Sequence, residues 1–306
     1  MTKVNSILPK DLALALFIVV VWALSFAVLK VALAGTPPYL LAAIRYLVAA
    51  VPAIFLFKPP KVPLRLYVAF GMTMCFGQFA LLFLAMHAGM PSGLASLVMQ
   101  SHAFFTLVLA TMFLKEKWSA SQLIGLLLAL GGLVLLGTAS DGFMPLSGFF
   151  LSIGAAFLWS LGNISSRYVS RHGPINQLAF VVWTSLIPVI PFFLLSCFFE
   201  GSTVIISTVT RLNWDFAGAV IYMAWGSTLL GYAAWNHLLS KYPVNKIAPF
   251  TLLVPLVALT TGWMLFDEAL KPIHFLGCGL LMIGLAINMF GTVFVAKIFS
   301  LLPVRS

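Results

Sequence analysis

The sequence predicts an all-α membrane protein, ten transmembrane helices arranged as two inverted five-helix repeats. Three observations carry that expectation. Of the 306 residues, 62% are hydrophobic and 8% charged, with a mean hydropathy of +1.09, too little polar surface for water to solvate. The apolar residues gather in ten stretches, each near the ~20 residues that span a hydrocarbon core of ~30 Å. The second half also repeats the first: Pro91 and Pro243, Glu116 and Glu268, Gly125 and Gly277, and Gly132 and Gly284 all stand 152 residues apart. Five crossings per half is an odd number, so the second copy enters the membrane upside down. The repeats divide as 1–140 and 141–306.

Taken in order, span 1 (Leu12 to Ala34) carries Trp22, Ser25 and Phe26. It is too long for a signal peptide, lacks a small-residue cleavage site and is followed by further spans, so it is expected to remain. Span 2 (Tyr39 to Phe57) holds Arg45 within its first two turns. A cation there either snorkels outward or stands in a vestibule to meet a substrate carboxylate. Span 3 (Leu66 to His87) brings Gln78, and span 4 (Pro91 to Leu114) brings Gln100, Ser101 and His102. In spans 5 (Ser119 to Gly137) and 10 (Ile273 to Ala296) the glycines recur seven residues apart on one face. Missing side chains there admit a second backbone, within the chain or across a dimer.

Span 6 (Leu146 to Tyr168) carries Trp159 and Asn163, and matches span 1 more weakly: Trp22, Leu24 and Lys30 align with Trp159, Leu161 and Arg167. Span 7 (Asn176 to Phe199) has Trp183, Pro188 and Pro191; span 8 (Asp215 to Leu239) has Tyr232 and Asn236; span 9 (Val244 to Phe266) has Pro249 and Pro255. Each proline removes a backbone donor and loosens its helix, which makes Pro249 and Pro255 the expected gating positions, with a static kink as the alternative.

Every Lys and Arg except Lys30, Arg45, Arg211 and Lys271 falls at the N-terminus, in an even-numbered connection or in the tail. Lys and Arg are retained in cytoplasmic loops, so both termini are expected in the cytoplasm. The net charge of +10 is spread over these loops and not gathered on one domain, which argues against a nucleic-acid partner.

The expected interior lacks carboxylates: Asp11, Glu116, Asp141, Glu200, Asp215, Asp267 and Glu268 all fall at span ends or in loops. His102 is the ionisable side chain nearest the midplane, able to carry a proton or to act as a neutral hydrogen-bond partner. Gln78, Gln100, Ser101, Asn163, Tyr232 and Asn236 complete the mid-depth polar set. Facing lipid they would be costly, so they face one another or a wet cavity. Trp22, Phe26, Trp159 and Trp183 are the aromatic faces that could shape or gate such a cavity. The cysteines, Cys75, Cys197 and Cys278, lie in no metal-like spacing. No metal, cofactor or catalytic constellation is apparent: Asp267-Glu268 has no histidine spaced as a partner, and there is no phosphate-cradling Gly-Lys-Ser/Thr loop. A secondary transporter for a small solute is the reading these absences leave, with an integral-membrane protein that does not transport as the alternative.

Several stretches carry a family resemblance: Val20-Val21-Trp22, Pro37-Pro38, Arg45, Pro60-Lys61-Val62-Pro63-Leu64, Gln78-Phe79-Ala80 and Gly89-Met90-Pro91 with Gly93-Leu94-Ala95-Ser96-Leu97-Val98. Gln100, Ala103-Phe104-Phe105-Thr106, Pro188, Pro191-Phe192-Phe193, Leu252-Leu253-Val254-Pro255 and Asp267-Glu268 continue it. Over nearly its whole length the chain resembles the EamA family of the drug/metabolite transporter superfamily, and within it the bacterial exporters of O-acetylserine and cysteine. The resemblance implies a bacterial inner-membrane exporter, a monomer or weak dimer, whose central cavity is lined by spans 1, 3, 4, 6, 8 and 9. Gln78, Gln100, His102 and Asn163 would bind a small amino acid or its metabolite, with Trp22, Ser25, Trp159, Trp183, Tyr232 and Arg45 around it. His102 stands where the family has Gln and Ser25 where it has Asn, which bears on the identity of the solute. A facilitator or importer of aromatic amino acids or another metabolite is the alternative within transport.

Overall fold

The computed structural model describes residues 7–33, 36–90, 95, 98–138, 145–210, 214–266 and 272–301. Pro91, Asp141, Asp267, Glu268 and the side chain of Phe26 lie outside the described residues. Every described element is helical. The helices are α1 (Pro9–Leu33), α2 (Pro38–Ile54), α3 (Leu64–Met86), α4 (His102–Leu114), α5 (Ala120–Thr138), α6 (Leu146–Val169), α7 (Gln177–Glu200), α8 (Trp214–Lys241), α9 (Val254–Phe266) and α10 (Pro272–Leu301). A short helix Ser202–Thr210 joins α7 to α8, and α9 is led by Val244–Ile247 and a 3-10 stretch, Ala248–Leu253. Among the described residues α1, α3, α6, α7 and α8 are long and apolar enough to cross a membrane, and the other five are shorter apolar helices.

Polarity is distributed as a lipid solvent requires. Leu16, Phe17, Val20, Leu127, Val134 and Phe193 are exposed, while Arg45, Gln78, Gln100, His102, Asn163 and Asn236 are buried. A lipid surface cannot satisfy amides or charges, so those groups collect inside.

Small residues set the closest approach. A Cβ on Gly125 would lie 2.4 Å from Gly284 O, and one on Gly284 would lie 2.5 Å from Gly125 O. A Cβ on Gly132 would lie 2.6 Å from Gly277 O. The glycine faces of α5 and α10 are therefore spent on each other within one chain, as close backbone packing in lipid demands. The contacts are reciprocal, each glycine meeting the repeat counterpart of the other, as a two-fold relation would produce.

Proline and hydroxyl chemistry breaks α7. Pro188 has no N–H for Thr184 O, and residues 185–188 form a turn in which Ile187 N donates to Thr184 O instead. The hydroxyls of Thr184 and Ser185 donate to Val181 O, keeping polar groups paired without water. Span 7 is thus two helical pieces and not one. Ahead of α9 the same logic operates: Pro255 cannot donate to Thr251 O, and Val254 N takes that carbonyl.

The two ends of the bundle are fastened differently. At the face where α1 begins, which we call basal, Lys241 Nζ lies 2.8 Å from Asp11 Oδ2 and the Tyr242 hydroxyl donates to the same oxygen at 2.6 Å. Glu116 accepts from Val244 N and Asn245 N, capping the helix after Pro243, and lies 3.8 Å from Arg167 Nε. Arg167 also donates to Leu239 O and Ser240 O. At the opposite, distal face Glu200 accepts from Tyr39 N at 2.7 Å and Leu40 N at 3.1 Å. A carboxylate at those free N–H groups complements the positive end of the α2 dipole.

Candidate functional site

Two departures from regular α-geometry build the middle of the bundle. Seven residues of α3 (Gly71–Gly77) and nine of α8 (Tyr222–Leu230) are π-helical. In α8, Gly231 N therefore reaches back to Gly226 O, whereas an α-helix would use Ser227 O. Ser227 O instead accepts from Trp22 Nε1 at 3.1 Å. Gly231 makes the room, since a Cβ there would lie 2.6 Å from that indole nitrogen. Such π segments recur at functional sites because they free and re-aim backbone groups.

Trp22 is the hub. Its ring lies 5.3 Å from Trp235, 5.6 Å from Trp159 and 5.8 Å from Tyr232, centroid to centroid. Trp159 in turn stacks on His102, with centroids 4.5 Å apart and planes within 7°. His102 is fully buried, and its Nε2 lies 2.8 Å from Thr251 Oγ1 in the 3-10 stretch between Pro249 and Pro255.

Proton counting ties the tautomer to Thr251. Its one hydroxyl proton has two acceptors in reach, Ala248 O at 2.7 Å and His102 Nε2 at 2.8 Å, and is assigned to the shorter contact. The contact with His102 can then be a hydrogen bond only if Nε2 carries the proton, which leaves Nδ1 as a lone-pair acceptor. That nitrogen is buried and has no partner among the described residues, and neither have Gln78 Oε1, Gln100 Oε1, Ser101 Oγ and Trp159 Nε1. Buried polar atoms are nearly always paired, and each exception asks for an explanation. Trp159 packs on Trp22, His102 stacks on Trp159, and Gln100 and Ser101 immediately precede His102, whereas Asn245 Oδ1, beside Glu116 at the basal face, is an exception away from the hub.

The backbone is irregular at the same depth. Span 4 is not one helix: residues 100–101 form a turn and regular helix begins at His102. Inside a membrane, irregular backbone is tolerated where it is enclosed by protein or lines a cavity. Gln78 directly follows the π segment of α3, its N–H reaching back to Thr73 O.

Other expected site residues are engaged elsewhere. Asn163 accepts from Trp235 Nε1 at 2.9 Å and donates to Thr106 at 3.2 Å, tying α4, α6 and α8 together. Trp183 donates to Phe57 O at 2.8 Å, near the basal end of α2, away from the hub. Ser25 donates to Val21 O at 2.8 Å, a carbonyl shared with the Tyr222 hydroxyl. Arg45 does not snorkel: it is 8% exposed, its Nε donates to Thr228 Oγ1 at 2.8 Å, and its Cζ lies 4.9 Å from the Phe79 ring centroid. Thr251, Trp235, Tyr46 and the Ser227 carbonyl are participants that sequence reasoning missed. A threonine between two prolines was the one available signal.

No group of three or more metal-binding side chains occurs among the described residues. The model of the EamA-like transporter family matches residues 10–138 and again 146–290. The chain belongs to the EamA-like transporter family. This EamA chain is 43% identical over 285 residues to a "Probable amino-acid metabolite efflux pump" of Escherichia coli (strain K12), covering 92% of this chain and 95% of that one. It is 44% identical, with the same coverage, to a protein of that name in Salmonella typhimurium. A solved crystal structure shares the fold at a TM-score of 0.77 and 19% identity, covering 94% of this chain and 98% of the other. The protein is accordingly a multi-pass membrane transporter of the EamA fold.

Proposed function

We propose that this transporter exports a small amino acid or amino-acid metabolite, of the cysteine or O-acetylserine kind, from the bacterial cytoplasm across the inner membrane by alternating access. The observation that carries this reading is the set of buried, unpartnered polar atoms on Gln100, Ser101, His102 and Trp159, joined to Trp22 through the Trp159 ring. A zwitterion brings donors and acceptors together, so neutral dipoles can hold it without a buried carboxylate. His102 Nδ1 and the carboxamide oxygens of Gln78 and Gln100 accept from the ammonium group. The Trp159 indole N–H donates, and Trp22, Trp159 and Tyr232 wall the site. Asn163 holds Trp235 behind that wall, while the 3-10 stretch between Pro249 and Pro255 moves His102 through Thr251.

The basic loops support a cytoplasmic basal face and cytoplasmic termini. The packing of the α5 and α10 glycine faces on each other supports a pathway within one chain, since it leaves those faces no dimer partner to seek. No bond of the solute is made or broken.

Reconstituted in liposomes, the protein should support counterflow of labelled cysteine or O-acetylserine over threonine and phenylalanine. Selection of phenylalanine would instead favour an aromatic amino-acid facilitator, and failure of all four would sink the amino-acid reading. Counterflow should be indifferent to an imposed pH gradient. Acceleration by the gradient that vanishes in His102→Gln would make His102 the proton carrier.

A further inference from the structure

We propose that Arg45 and the Tyr46 hydroxyl form the subsite that receives the carboxylate of the transported solute. The proposal rests on the amino-acid reading above and deepens it, by requiring of the solute a free carboxylate.

Arg45 is a buried cation without a counter-charge among the described residues. Asp11 is engaged by Lys241 and Tyr242, Glu116 by Arg167 and two backbone N–H groups, and Glu200 by the start of α2. No described carboxylate pairs with Arg45. Its partner is Thr228, whose hydroxyl proton goes to Met223 O at 2.8 Å, so Thr228 only accepts from Arg45 Nε and neutralises nothing. The faces of Phe79 and Tyr46, at 4.9 and 5.4 Å, compensate in part. A guanidinium has five N–H donors, and the ones beyond Nε form the planar fork that fits a carboxylate in a bidentate pair.

A second observation points the same way. The Tyr46 hydroxyl is buried and closes no hydrogen bond of regular geometry among the described residues; the Tyr232 hydroxyl and the Cys75 thiol are its hydrogen-bonding neighbours, with Arg45 close by. An O–H donor beside an unpaired guanidinium suits an incoming anion.

The position adjoins the hub. Arg45 is held by Thr228 and Trp22 by Ser227, consecutive residues whose Cα atoms are about 3.8 Å apart. Tyr232, one turn beyond Thr228, packs on Trp22 at 5.8 Å. Phe79, under the guanidinium, is the neighbour of Gln78, whose carboxamide oxygen is unpartnered. Carboxylate and ammonium poles therefore have separate receivers on adjoining walls of one site.

Thermal unfolding of the purified full-length protein, titrated with cysteine, cysteamine (which lacks the carboxylate) and cysteine methyl ester, tests this. Wild type should bind cysteine at least about tenfold more tightly than either analogue, the scale of one charge-assisted hydrogen-bonded pair. In Arg45→Gln the preference should collapse, and in Arg45→Lys it should persist in reduced form. A preference that survives intact in Arg45→Gln overturns the subsite alone. If Arg45→Gln does not fold, Tyr46→Phe decides: several-fold weaker cysteine binding with unchanged cysteamine binding supports the subsite, and no change in either overturns it. Absence of binding by all three ligands in wild type overturns the amino-acid reading and the subsite with it.

Discussion

Asp11 at the basal face and His102 at mid-bundle are both buried polar side chains, yet they are left in opposite conditions. Asp11 spends its carboxylate on Lys241 and Tyr242, and the same tyrosine oxygen accepts from Leu8 N. His102 spends one ring nitrogen on Thr251 and leaves the other unpaired, amid unpaired atoms of Gln100, Ser101 and Trp159. Saturation of Asp11 serves stability, because Lys241 and Tyr242 lose their acceptor if the ends part, although Asn245 Oδ1 beside Glu116 is left unpartnered there. Unsaturation in the middle costs stability, and a transporter recovers that cost only when a solute fills the vacancies. On the proposed reading, the contrast separates structural from functional polarity where residue type alone does not.

The largest effect on stability is expected at the saturated end. Asp11→Ala removes the acceptor of both Lys241 and Tyr242 and should cost about 2 kcal/mol, less than a fully buried pair because Lys241 is partly exposed. Thermal unfolding in detergent measures it, and cysteine affinity should not change. A lowered affinity would mean that the basal network shapes the site. Next, Thr251→Val takes away the acceptor that holds His102 in its tautomer. Counterflow should fall about tenfold, equivalent to 1.4 kcal/mol of binding or orientation. Unchanged counterflow would detach the 3-10 stretch from the site. The smallest effect is expected at Ser25→Ala, whose hydroxyl is already satisfied by Val21 O: counterflow should stay within about twofold of wild type, the scale of a surface-like substitution. A larger loss would return Ser25 to the solute contacts.

The apolar spans, the glycine faces and the burial of Gln78, Gln100 and His102 were legible in the sequence, because membrane length, small-residue spacing and mid-depth amides are local properties. What was not legible depends on partners. Asn163 and Gln100 read alike as buried amides, but only Asn163 meets Trp235 and Thr106. Trp183 and Trp22 read alike as aromatic walls, but Trp183 is pinned to Phe57 O near the basal face. The π segments of α3 and α8 leave no periodic signature over seven and nine residues, so the release of Ser227 O to Trp22 could not be foreseen. Nor could the tautomer of His102, which follows from where a single threonine proton goes.

The central claim is that the unpaired atoms at mid-bundle await a solute, and Gln100→Leu tests it most directly. Leucine removes the carboxamide and its unpartnered oxygen at similar size, so thermal unfolding of the ligand-free variant should occur at or above the wild-type temperature. Added cysteine or O-acetylserine should no longer raise it, and counterflow should be lost. A variant that unfolds at a clearly lower temperature yet still gains full stabilisation from the amino acid would make Gln100 a packing residue and contradict the account.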